Sequence, residues 1–129
     1  MALILVVDDN AGVRGVVERA LQSCGHQVLL AEDGDRAIRV WRERGADLVL
    51  LDIHMPNADG IESLVHLRAL APGLPIIMMS GGTQTGELDL LGDALLLGAV
   101  GVLAKPFTLQ QLYATVAVGL GSRGEAGSA

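Results

Sequence analysis

Three short aliphatic runs in this chain stop abruptly at charged residues. Leu3-Ile4-Leu5-Val6-Val7 ends in Asp8-Asp9, Leu48-Val49-Leu50-Leu51 ends in Asp52, and Gly101-Val102-Leu103-Ala104 ends in Lys105-Pro106. Runs this short, apolar at successive positions and bounded by turn signals, are the pattern of strands covered on both faces of a parallel sheet. Alternating strands would instead show one polar face, so the pattern points to helices above and below the sheet. The C-termini of parallel strands share one edge, and ligands of α/β sheets bind there. Three carboxylates and one ammonium, far apart in sequence, are therefore expected to meet at a single edge.

Between and beyond these runs, strand and helix signals alternate five times. Strands are expected over residues 3–7, 27–31, 48–51, 76–79 and 100–104. The first helix, over 11–24, has Val13, Val16, Val17, Ala20 and Leu21 at helical spacing, Asn10 as N-cap and Gly25 as stop. The second, over 35–44, turns Ala37, Ile38 and Trp41 inward and ends at Gly45. A third is expected over 60–70, before Pro72-Gly73, and a fourth over 88–97, ended by Gly98. The fifth, over 109–119, is capped by Thr108. Short connections and right-handed crossovers give a doubly wound α/β fold with a five-stranded parallel sheet and helices on both faces. With 129 residues the chain suffices for one domain with a sizeable core. That domain is expected over 1–120, and the Gly/Ser/Ala/Glu stretch 121–129 is expected to be a flexible tail.

Composition narrows the function. Half the residues are hydrophobic and only 2% are aromatic, so the core is aliphatic and base stacking on aromatics is not expected. A net charge of −6 speaks against a general nucleic-acid or anionic-membrane binder. The single cysteine, Cys24, allows no internal disulfide and fits a reducing compartment. No charged-then-apolar leader and no membrane-length apolar stretch is found, so a soluble, cytoplasmic protein is expected.

The strand-end residues carry the chemistry. Taken alone, Asp8-Asp9 reads equally as a solvated turn capping the first helix. Asp52 closes the most apolar strand, where an unpaired charge is expensive, and so requires a cation. Lys105 either reaches a partner at the sheet edge or extends its head into water. Three acids held close repel one another unless a proton or cation intervenes. Hard oxygen ligands with room for water suit Mg2+, and a divalent metal beside a carboxylate and a lysine is equipment for handling a phosphoryl group. His26, His66, Met78-Met79 and Cys24 lack companions at ligand spacing and are read as surface or packing residues. No Gly-Lys-Ser/Thr follows Gly81-Gly82, so a P-loop is excluded, and no G-x-G-x-x-G follows the first strand.

These pieces together resemble the receiver domain of two-component response regulators. The resemblance rests on Asp8-Asp9 after strand one, Asp52 after strand three, and Met55-Pro56 and Asp59-Gly60 in the next loop. Ser80-Gly81 after strand four and Lys105-Pro106-Phe107 after strand five complete it. It covers about residues 2–119. It implies the flavodoxin-like strand order 2-1-3-4-5 and an Asp52 that accepts a phosphoryl group from a histidine kinase or histidine phosphotransfer protein, or from a small phosphodonor. It implies Mg2+ held by Asp9 and Asp52, by Asp8 through water, and by the His54 backbone carbonyl. Lys105 and the Ser80 hydroxyl would take phosphoryl oxygens, and the Lys105-Pro106 peptide would be cis. The implied role is a signalling module acting through an unidentified downstream protein. It would catalyse only its own phosphorylation and dephosphorylation, and it would use neither nucleic acid nor membrane. With no output domain expected, binding or onward phosphoryl relay remains; the residues leave the oligomeric state open.

Three features depart from the family pattern. Val102 stands where an aromatic residue usually precedes the lysine by three positions, so the usual aromatic switch is not expected to operate. The stretch from Gly81 to Gly86 is longer and richer in glycine than usual, and signalling is expected to read out over residues 80–91 with strand five nearly static. His54 and Gly82 occupy the positions that border the path of attacking water in the family. A phosphorylation-independent scaffold is the competing reading, favoured only by Val102. A small-molecule phosphatase or phosphotransferase is disfavoured, because nothing supplies a second acid beside the nucleophile in the same loop.

Overall fold

All five expected strands form and pair in parallel. The computed structural model describes residues 1–53, 60–80, 95 and 97–128. Its strands are β1 (Leu3–Val7), β2 (Gln27–Ala31), β3 (Leu48–Asp52), β4 (Ile76–Ser80) and β5 (Gly101–Ala104). They form one sheet of order β2-β1-β3-β4-β5, the flavodoxin-like order. Among the described residues the helices are α1 (Ala11–Ser23), α2 (Gly34–Arg44), α3 (Gly60–Leu70) and α4 (Leu109–Ser128). The helix expected over 88–97 and the loop 81–86 fall outside the described residues, apart from 95 and 97.

The period-two alternation of strands sorts each apolar run between two cores. Leu5, Val7, Val49, Leu51, Ile76 and Met78 face α2 and α3, meeting Ala37, Leu64 and Leu67 with Trp41 packed against them. Ile4, Val6, Leu48, Leu50, Ile77 and Met79 face the other way, meeting Val17 and Leu21 of α1 and Leu112 and Val116 of α4. The whole of β3 and β4 is buried. Each fully buried aliphatic side chain contributes about 2 kcal/mol relative to exposure, so the continuous runs are the main drive for covering both faces.

Local chemistry sets the helix ends. Asn10 Oδ1 accepts from the Val13 N–H at 3.1 Å, and Asp33 Oδ1 accepts from the Arg36 N–H at 2.8 Å. Thr108 Oγ1 accepts from the Gln111 N–H at 3.0 Å while Gln111 Oε1 accepts from the Thr108 N–H at 2.8 Å, a reciprocal capping box. Gly25 and Gly45 follow α1 and α2 with φ of +88° and +71°, a region other residues enter at a cost.

One boundary differs from expectation. The fifth helix was expected to stop near residue 119, yet α4 continues to Ser128. No proline interrupts this stretch, and Arg123, Glu125 and Ala126 are good helix formers. Once a helix is nucleated, each further residue adds a hydrogen bond without a new nucleation cost. The glycines at 121, 124 and 127 weaken that propagation and account for the expected stop.

Candidate functional site

Register brings the strand ends level. Val7 pairs with Ala31 and Leu51, Asp52 with Met79, and Ser80 with Ala104. Pairing then runs one residue further on each side. The Asp8 N–H donates to the Ala31 carbonyl at 3.1 Å, the Ile53 N–H to Met79 O at 2.8 Å, and the Lys105 N–H to Ser80 O at 2.6 Å. The backbone ladder thus delivers Asp8, Asp52, Ser80 and Lys105 to the same edge before any side-chain interaction is considered.

Asp8 has no exposed surface, and the structure gives its carboxylate partners on both oxygens. Oδ1 accepts from the Asn10 N–H at 2.9 Å, and Oδ2 accepts from Lys105 Nζ at 2.6 Å. Lys105 Nζ also lies 3.6 Å from Asp52 Oδ2, an ion pair longer than a hydrogen bond. Lys105 therefore sits between two acids and closer to Asp8. Asp52 is buried, whereas Asp9 is exposed at the mouth. Carboxylate oxygens of Asp8, Asp9 and Asp52 all lie within 4.8 Å of one another. Ser80 is fully buried at the end of β4, the strand beside β3. The Lys105-Pro106 peptide is cis.

One ammonium cannot compensate three carboxylates. At such separations the repulsion is reduced by a proton, by water or by a further cation. The donor set is entirely hard oxygen, and one of its acids is open to solvent. That chemistry fits a small divalent ion that retains some of its waters, as Mg2+ does.

The structure brings together Asp8, Asp9, Asp52 and Lys105 and places Ser80 on the adjacent strand end. His54, Met55-Pro56 and Asp59 lie outside the described residues. Val102 is half-buried and packs against the core that α2 and α3 cover. Cys24 is an exposed C-cap, Met78 and Met79 are core, and His26 Nδ1 accepts from the Ala2 N–H at 3.1 Å.

Two participants were not foreseen. The Arg14 guanidinium donates through Nη1 to the Asp8 carbonyl at 2.5 Å, tying the first turn and a half of α1 to the acidic loop. A cation five residues after an acidic pair is a signal the sequence does contain. Gly60, quoted only as part of a motif, lies against the backbone of Asp52 and Ile53. No pattern in the sequence marks that approach.

The model of the response regulator receiver domain matches residues 4–117. The transcriptional regulatory protein ZraR of Escherichia coli (strain K12) is 36% identical over 113 residues, 88% of this chain and 25% of that protein. This chain thus spans about a quarter of the length of that relative. Sporulation initiation phosphotransferase F of Bacillus subtilis (strain 168) is 35% identical over 109 residues, 84% of this chain and 86% of that protein. The crystal structure of the receiver domain of NtrX from Brucella abortus superposes with a TM-score of 0.85 at 33% identity, covering 91% of this chain and 97% of that one. With strand order, acidic cluster and family match in agreement, the chain belongs to the response regulator receiver domains of two-component systems.

Proposed function

We propose that this chain accepts a phosphoryl group on Asp52 from the phosphohistidine of a kinase or phosphotransfer protein, and signals in that state by binding a downstream protein. The observation that carries the reading is the cluster itself: three carboxylates within 4.8 Å, with Lys105 Nζ 2.6 Å from one and 3.6 Å from another. An Asp52 oxygen attacks phosphorus in line, the phosphorus–nitrogen bond breaks, and the imidazole leaves with the electron pair. The product is an acyl phosphate. Lys105 already stands between Asp8 and Asp52, so a small swing of its ammonium lets it meet an incoming phosphoryl oxygen. The Ser80 hydroxyl donates to another. Asp8, Asp9, Asp52 and the His54 carbonyl would hold Mg2+, which when bound neutralises the phosphoryl oxygens that the acids would otherwise repel.

The donor has a place to dock. A cleft of about 610 Å³ adjoins Lys105, lined by Asn10, Val13, Val16, Val17, Pro106 and Phe107. Val16 is 51% exposed there. An apolar helix face laid on it would bring a histidine side chain to the mouth of the site. The name of the Bacillus relative, a phosphotransferase, supports a relay in which the group passes onward. On this reading the chain turns over no small-molecule substrate and works in the cytoplasm. The scaffold reading has only Val102 in its favour and leaves the buried acids and Lys105 without a purpose.

Incubation with Mg2+ and a small acyl phosphate, followed by intact mass, tests the assignment. The parent gains one phosphoryl group and Asp52→Asn gains none. A variant that labels like the parent would move the acceptor elsewhere.

A further inference from the structure

We propose that Gly60 is a positioning residue for phosphoryl transfer: its missing side chain lets α3 abut the backbone of Asp52 and Ile53, and that contact holds the Asp52 carboxylate in its direction of attack. The inference rests on Asp52 being the acceptor. A Cβ at residue 60 would stand 2.5 Å from Ile53 Cα and 2.7 Å from Ile53 O, and closer still to the Asp52 carbonyl oxygen. All three are backbone atoms, so no side-chain rotation relieves the clash. The Gly60 N–H donates to Ile53 O at 3.2 Å, which makes the approach a bonded one. Backbone conformation is not the reason for glycine, because Gly60 is not among the residues with positive φ.

Both sides of the contact are stiff. Asp52 pairs with Met79 inside the sheet, and the Ile53 N–H is bonded to Met79 O at 2.8 Å. Helix α3 is anchored by Leu64 and Leu67, which have no exposed surface. A methyl group at residue 60 is therefore accommodated by moving the end of β3 against the start of α3 by about 1 Å, the shortfall from ordinary carbon contact. The residue displaced is the one that carries the nucleophile. In-line transfer depends on that geometry, and a misplacement of this size costs about a hundredfold in rate.

A second glycine supplies the control. A Cβ at Gly119 would meet Leu48 Cδ1 at 2.6 Å and Ile77 Cδ1 at 3.2 Å, in the core beneath the opposite face of the sheet. Gly119→Ala strains packing without touching Asp52. The experiment follows phosphorylation of the full chain by a small acyl phosphate at saturating Mg2+, as intact mass against time, at a temperature well below each variant's melting point. Gly60→Ala should label about ten- to a hundredfold more slowly per folded molecule, while Gly119→Ala labels within about twofold of the parent despite a lowered melting temperature. Should Gly60→Ala not fold, Leu64→Ala and Leu112→Ala form the second pair, one loosening α3 and the other α4. Only Leu64→Ala should then slow labelling. Parental labelling by Gly60→Ala, or equal slowing of both members of a pair, would overturn the proposal. A parent that does not label, or an Asp52→Asn variant that does, would instead remove the acceptor assignment beneath it.

Discussion

At the N-terminal edge of the sheet, Asp47 Oδ2 accepts from the Leu3 N–H at 2.8 Å and His26 Nδ1 accepts from the Ala2 N–H. Each side chain there satisfies a backbone donor that the strand ladder leaves over. At the opposite edge Asp8 Oδ1 also takes a backbone donor, the Asn10 N–H, but the other charged groups are turned on one another. Asp8 and Asp52 flank Lys105, and Asp9 faces them from the solvent side. Both edges are polar ends of apolar strands. The difference is where the charges point. Side chains that finish the backbone leave an edge closed. Side chains that converge with excess negative charge leave it with capacity for a cation and an anion carried by that cation.

The largest expected consequence of this difference is at Lys105. Removing one partner of a buried pair strands the other, and Asp8 has no exposed surface. Without Mg2+, Lys105→Ala should lose about 3 kcal/mol in urea unfolding, at the low end for a buried pair because Asp8 keeps the Asn10 N–H. A site stripped of its ammonium is also a stronger cation site. Adding Mg2+ should therefore stabilise Lys105→Ala more than it stabilises the parent. An equal Mg2+ gain in both proteins would mean that the ion and Lys105 do not share the same charges.

The closed edge should answer differently. Asp47→Ala deprives the Leu3 N–H of its acceptor at the start of the central pair of strands. A cost of about 1 to 2 kcal/mol is expected, read by the same unfolding measurement. Labelling of Asp52 should stay within about twofold of the parent, because the loss is confined to the far end of the strand. If Asp47→Ala slows labelling as strongly as it destabilises, the two edges are coupled along β1 and β3, and the comparison fails.

Much of this contrast could be read from the chain. The aliphatic runs of β1, β3 and β4 carry both their burial and their length in composition alone, and a parallel sheet puts whatever follows them on one edge. That is why Asp8, Asp9, Asp52 and Lys105 could be named as neighbours, whereas Ser80 was named only through the resemblance to receiver domains. Which acid Lys105 prefers was not legible: the choice of Asp8 over Asp52 depends on a difference of about 1 Å in side-chain reach, and a residue pattern holds only periods. The approach of Gly60 to Asp52 is lost for the same reason. The extension of α4 to Ser128 went unread because glycines and good helix formers alternate over 121–128, and local propensity there has no clear direction.

The smallest expected effect belongs to His26 and sharpens the comparison through pH. Burial, and next the nearby N-terminal ammonium, lower its pKa from the ordinary 6.5. The unfolded chain thus takes up a proton at a pH where the folded one still resists it. Stability from this group is complete above about pH 6.5 and is lost as the pH falls through that value toward the lower folded one. The sign agrees with the geometry, since protonating Nδ1 removes the acceptor that the Ala2 N–H uses. Because the ring is partly exposed, solvent screens the effect and it should be smaller than that of Asp47. Between pH 7.5 and 5.5 the parent should lose more stability than His26→Gln, whose amide oxygen still accepts without titrating. The pH profile of Asp52 labelling should be the same in both proteins, because His26 lies at the edge whose side chains serve the backbone. Identical stability losses would show that the imidazole does not titrate against the fold, and a shifted labelling profile would show that the closed edge reaches the open one.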